Sequence, residues 1–277
     1  MGSRHVLGLF LGLLCVHAHG FVREDEGIGF YLGVDARQSI ATGDYAGLPN
    51  PNLNRLTLLF DHGDHSHGIG AYGYSGPASA PAVQPTSQNN RIPEPYSKEP
   101  PVPLTTGSGL YAGTLRSAAA ASEYGLLGVA SIESLGGFAP ESEEAILFQS
   151  SGGRWSGPLG GVEIGLELLA ATTGLFIGNE SVRNVFTAGT THSLGPGNAL
   201  AFMPVFWTDE DAAPGTYSAT FRLVNLGGSR AFGDSGTFSF DFAVAQVVEP
   251  GTTGLVLAGL FLIVAAARRR TLTLGRA

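Results

Sequence analysis

The 277-residue chain predicts an all-β fold, an antiparallel β-sandwich carrying a proline-rich extended arm. Three observations lead there. Stretches of apolar–polar alternation recur along the chain, as half-buried strands require. Glycine reaches 41 residues, about twice its ordinary share of roughly 7% and without a collagen-like period, which supplies many tight turns. Charged residues are only 14% of the chain, well under the customary quarter or so, a balance that suits β-rich exported proteins better than helical cytosolic enzymes. Hydrophobic residues at 43% are enough for a core and argue against wholesale disorder.

Taken in order, residues 1–18 read as a signal peptide. Arg4 and His5 precede an apolar run over 6–16, and Ala18 offers a small residue for cleavage. The run of about eleven residues is short for a bilayer span. The sole cysteine, Cys15, lies within this leader, preceded by Leu14 rather than the small residue a lipobox needs. The mature chain then has no thiol, so a transition-metal site would be built from histidine and carboxylate.

Residues 19–246 read as one β-rich body. The clearest strands are 217–223, where Tyr217, Ala219, Phe221 and Leu223 share a face, and 237–244, where Phe238, Phe240, Phe242 and Val244 do. The glycine-rich stretch 225–235 joins them as a hairpin, and Pro214-Gly215 marks the turn before the first. Further strands are expected at 30–34, 56–60, 69–74, 126–132, 145–149, 162–169 and 199–207, which together argue for a sandwich. The alanine cluster within 115–124 is the one expected helix.

Residues 75–107 hold eight of the chain's 16 prolines. Composition alone describes a polyproline-like linker. The run Arg91-Ile92-Pro93-Glu94-Pro95-Tyr96 is less bland than a spacer, and an ordered arm packed on the domain is the favoured reading.

The most informative stretch is Asp61-His62-Gly63-Asp64-His65-Ser66-His67-Gly68. A neutral imidazole offers a lone pair to Zn²⁺, Cu²⁺ or Ni²⁺, and a carboxylate neutralises charge. In an extended segment His65 and His67 point to one side. His62 can join them across Gly63, with Asp64 or Asp61 as a fourth ligand or as an orienting group. The plain alternative is a solvated polar loop. His192 stands alone in Gly189-Thr190-Thr191-His192-Ser193, and His19 becomes the mature N-terminus if cleavage follows Ala18, offering amine and imidazole together.

Five of the 15 basic residues lie in the two ends, so acidic residues outnumber basic ones about two to one in the body, where Lys98 is the only lysine. Such a surface repels phosphate backbones, which sets nucleic-acid binding aside, and attracts cations. The tail, 247–277, reads Val248-Glu249-Pro250, then a span over 251–267, then Arg268-Arg269-Arg270. Its seventeen apolar or small residues can cross a thin membrane as a helix, with the arginines kept cytoplasmic.

This tail resembles the PEP-CTERM sorting signal of Gram-negative bacteria, with Val248 where the family has its first proline. The resemblance implies handling by an exosortase-type transpeptidase and delivery to the envelope, the surface or the extracellular matrix. Gly47-Leu48-Pro49-Asn50-Pro51, Asn54-Arg55-Leu56-Thr57, the histidine cluster over 62–70, Asn90-Arg91-Ile92-Pro93-Glu94 and Leu110-Tyr111-Ala112-Gly113 resemble the zinc-regulon PEP-CTERM surface proteins. That likeness implies control by the zinc uptake repressor and a role when zinc is scarce. More loosely, Thr191-His192 ahead of Pro214-Gly215-Thr216-Tyr217 is similar to the actinobacterial surface-anchored (choice-of-anchor M) domain, which implies His192 as a partner to the cluster. Leu194 stands where that domain has a second histidine.

The expected function is therefore capture or buffering of a metal, zinc foremost, outside the inner membrane, with His62, Asp64, His65, His67, His192 and His19 as ligands. The competing class is a structural or adhesive component of the exopolymer matrix with incidental histidines. A metallohydrolase is the minor third. Three histidines with an open position could activate water, but neither His-Glu-x-x-His nor Gly-x-Ser-x-Gly occurs, so no enzymatic activity is expected.

Overall fold

The computed structural model describes residues 27–118, 123–187, 189–228 and 232–246. The expected signal peptide, His19 and the expected sorting and membrane-spanning tail lie outside the described residues. What is described is mostly β, as expected.

The strands in chain order are β1 (Ile28–Val34), β2 (Leu56–Asp61), β3 (Ser66–Ile69), β4 (Gly73–Ser75), β5 (Ala82–Gln84), β6 (Arg91–Ile92), β7 (Val102–Thr106), β8 (Thr114–Ser117) and β9 (Gly128–Ser131). After helix α1 (Glu143–Gln149) come β10 (Glu163–Ala171), β11 (Phe176–Gly178), β12 (Thr191–Pro196), β13 (Ala201–Phe202), β14 (Val205–Asp209), β15 (Gly215–Asn225) and β16 (Phe238–Val244).

One sheet runs β13-β9-β1-β2-β3, and a larger one runs β11-β14-β8-β7-β16-β15-β10-β12 with β6 added beside β16. β4 and β5 pair by themselves. Apolar side chains of both main sheets belong to one buried core. Phe30 of β1 meets Phe240 of β16 edge-on at 5.4 Å between centroids, and Phe206 of β14 stacks on Phe242 at 4.4 Å. Such aromatic pairs add to the burial of their large apolar area. β2 is buried at every position, as a central strand covered on both faces must be.

The hairpin of β15 and β16 forms with Phe221 opposite Phe238 and Tyr217 opposite Phe242. Alternation along β15 is the expected one, with Tyr217, Ala219, Phe221 and Leu223 buried. On β16 the opposite face is buried too. Ser239 and Asp241 lie beneath cover, and Arg91 of the proline-rich segment holds Asp241 with Nε 2.6 Å from Oδ2. That segment carries β5, β6 and β7, and the last two pair in parallel with β16. β1 and β9 are parallel as well. The purely antiparallel expectation is thus corrected to mixed sheets, because an arm and a crossover both return in the direction of the strand they join.

Four local expectations change. Residues 145–149 are helical, not extended. Ser142 accepts at its hydroxyl the amide N–H of Ala145, and Glu143 and Glu144 fill the first turn, where negative charge favours a helix N-terminus. Within 115–124 the described residues form the end of β8 and a short 3-10 turn at Glu123–Gly125, not an α-helix. The stretch 69–74 is divided between β3 and β4 at Gly70, whose φ is +65°, where an added Cβ would lie 2.4 Å from the Thr237 carbonyl. Finally, 199–207 splits into β13 and β14, which belong to different sheets. Pro204 falls between them and cannot donate to a ladder.

Candidate metal centre

The histidines sit on the hairpin of β2 and β3. Phe60 pairs with His67 and Asp61 with Ser66, so residues 62–65 form the turn. It closes through the amide of His62 donating to the His65 carbonyl at 3.0 Å and the amide of Gly63 donating to Asp61 Oδ1 at 2.6 Å. Gly63 itself has φ +85°, where a side chain would be strained. Side chains two apart on a strand share a face, so His62 extends the face of Phe60 and comes to lie beside His67. Their ring centroids are 4.3 Å apart. Phe60 backs His62 edge-on at 4.7 Å, and Tyr124 stacks on the same Phe60.

The carboxylate they meet comes from the arm. Glu94, two residues beyond β6, has a side chain with no solvent exposure. Its Oε2 lies 2.8 Å from His62 Nε2, and its Oε1 3.0 Å from His67 Nδ1. Around it Asn89 Nδ2 donates to Oε1 at 2.6 Å, and the hydroxyls of Tyr96 and Tyr124 donate to Oε2 at 2.7 and 3.2 Å. The Tyr96 hydroxyl also touches His67 Nδ1 and lies 3.5 Å from His62 Nε2. The parallel pairing of β6 with β16 and the Arg91–Asp241 ion pair hold this piece of the arm over the hairpin.

Charge in the cluster follows from this packing. Burial pushes the Glu94 carboxyl up, but hydrogen bonds from His62, Tyr96 and Asn89 and the His67 charge outweigh it, holding the group at about 2. Burial would lower His62; the hydrogen bond and charge of Glu94, with Glu123 and Asp61, raise it instead. His67 is lowered, since burial and the neighbouring His62 prevail over Glu94. Burial and the Glu94 charge raise Tyr96, and burial above all brings Tyr124 to about 12.

His62, His67 and Glu94 offer ligand atoms that all lie within 4.8 Å of one another. Bonds of about 2.0–2.2 Å to a shared ion put tetrahedral ligands roughly 3.3–3.5 Å apart, so small shifts from the 2.8 and 3.0 Å contacts would open room for one. Two imidazoles and a carboxylate suit zinc and other borderline divalent metals. Three protein ligands also leave a position for water or an exchanging ligand.

The other expected ligands are placed differently. His65 adjoins the group rather than joining it, with Nε2 3.0 Å from His67 Nε2. Asp64 is largely exposed and lies 2.6 Å from His65 Nδ1, a contact that lowers its carboxyl. His192 stands on β12 at the edge of the larger sheet, its ring against Phe202 and Phe186, and burial lowers it. It is not among the three converging groups. Sequence reasoning missed Glu94, Tyr96 and Tyr124 as members of the cluster. The only signal for the first two was the unusual run around Pro93 and Pro95.

Comparison of the chain with protein-family models, with curated proteins and with solved structures finds no match.

Proposed function

We propose that this protein is a non-enzymatic metal-binding protein, exported and held at the envelope, surface or matrix of a Gram-negative bacterium. It captures or buffers a divalent metal, zinc foremost, outside the inner membrane. The body is a β-sandwich scaffold between a signal peptide and an exosortase-type sorting tail that engages the membrane. His62, His67 and Glu94 bind the ion, with Tyr96 beside it.

The observation that carries this reading is the convergence of two imidazoles from a hairpin on a buried carboxylate from a distant arm, their ligand atoms within 4.8 Å. A histidine-rich turn on its own would be commonplace; what supports the reading is an acidic partner brought in from 27 and 32 residues away in the sequence. The test is calorimetric titration of the purified chain with Zn²⁺, repeated with His62, His67 and Glu94 replaced by Ala, Ala and Gln. Equal binding by both proteins would remove the proposal.

A second reading is a structural or adhesive matrix component. What favours it is that Glu94 already collects five donor groups from the protein itself, so the cluster can serve as a polar clasp for the arm. Elemental analysis of the purified protein separates the two, since the clasp needs no metal.

A further inference from the structure

His65 and His67 present a feature that the inner group does not use. A neutral imidazole carries one ring proton. On His65 the Asp64 carboxylate lies 2.6 Å from Nδ1, and on His67 Glu94 Oε1 lies 3.0 Å from Nδ1. A carboxylate beside Nδ1 favours the tautomer that carries the proton there and leaves the lone pair on Nε2. The two Nε2 atoms face each other at 3.0 Å. Lone pairs at that separation repel unless a proton or a metal cation lies between them, and a shared N–H···N hydrogen bond is the metal-free form of this contact. A carboxylate behind one ring nitrogen and a lone pair forward at the other is also how metal-ligating histidines are oriented.

We propose a second position for a divalent transition metal, at the outer edge of the hairpin between Nε2 of His65 and Nε2 of His67. It is separate from the inner position of His62, Glu94 and Nδ1 of His67, and water completes its coordination. The His65 side chain is 51% exposed, so an ion from solvent reaches this edge directly. With the outer position alone filled, the His67 proton stays on Nδ1 against Glu94. With both filled, His67 would serve both positions, one through each ring nitrogen. The inference rests on the metal-binding reading above, because His67 serves both positions.

The experiment counts Zn²⁺ per chain, by equilibrium dialysis and elemental analysis of the full-length protein in detergent. The wild type is expected to hold two ions, His65→Ala one and His62→Ala one. Circular dichroism checks that both variants keep the wild-type fold, which the exposed position of His65 favours. One ion in the wild type, two in both wild type and His65→Ala, or none in His62→Ala overturns the second position. A wild type that holds no ion removes the metal-binding reading itself and is thereby told apart from failure of the outer position alone.

Discussion

Glu94 Oε2 stands 2.8 Å from His62 Nε2, a contact that joins the turn of one sheet to an arm bound to the other. It makes the candidate site dependent on tertiary structure, since neither the hairpin nor the arm holds the three ligands alone.

Replacing Glu94 by Gln keeps the shape of the side chain and removes its charge. Zinc affinity is expected to fall by at least about ten- to a hundred-fold, the loss typical even of groups that only orient a ligand. Isothermal titration with Zn²⁺ at neutral pH reads this directly, and an unchanged affinity would exclude the carboxylate from the site.

Acid should weaken the metal-free chain through the same group. Because Glu94 is held at about 2 against its ordinary 4.5, its contribution to stability is complete above about 4.5 and is lost as pH falls towards about 2. His62, raised above 6.5, contributes fully below 6.5 and loses its share as pH rises through its elevated value; His67, lowered beneath 6.5, costs stability instead as pH falls from 6.5 through its depressed value. Thermal unfolding followed by circular dichroism should show the melting temperature dropping between pH 4.5 and pH 2. The Glu94→Gln variant should show a shallower drop.

Arg91 and Asp241 fasten the arm. Asp241 is 8% exposed and would lose its guanidinium partner in Arg91→Ala, while Ser218 still donates to Asp241 Oδ1. Arg91 is half exposed, so the expected loss is moderate, about 1–2 kcal/mol. Urea unfolding measures that loss. Zinc affinity should decline in the same variant, since Glu94 follows Arg91 by three residues.

His192→Ala should leave zinc stoichiometry and affinity at wild-type values. Its ring packs on Phe186 and Phe202, so the effect belongs to stability, about 1 kcal/mol from lost packing. A clear fall in zinc affinity measured by titration would bring His192 back to the site.

Much of this was legible along the chain wherever a local period decided the outcome. The alternation of 217–223 and 237–244 marks β15 and β16, because one face of each strand must be apolar to be buried. Residues 145–149 misled, since a short apolar run carries no period of its own and the decisive signals were Ser142, Glu143 and Glu144 just before it. The divided strands at 69–74 and 199–207 turned on Gly70 and Pro204, single residues whose effect depends on what lies across from them.

By itself the sequence determined a β-rich body and a turn that gathers three histidines beside aspartates, since residue type and nearest-neighbour spacing are sufficient for both. Only tertiary structure decided that His62 and His67 face Glu94 while His65 turns to Asp64 and His192 lies on another strand. The reason is physical. Which side chains meet depends on strand register and on the arm's parallel return to β16, and those follow from burial summed over the whole core, not from any segment read alone.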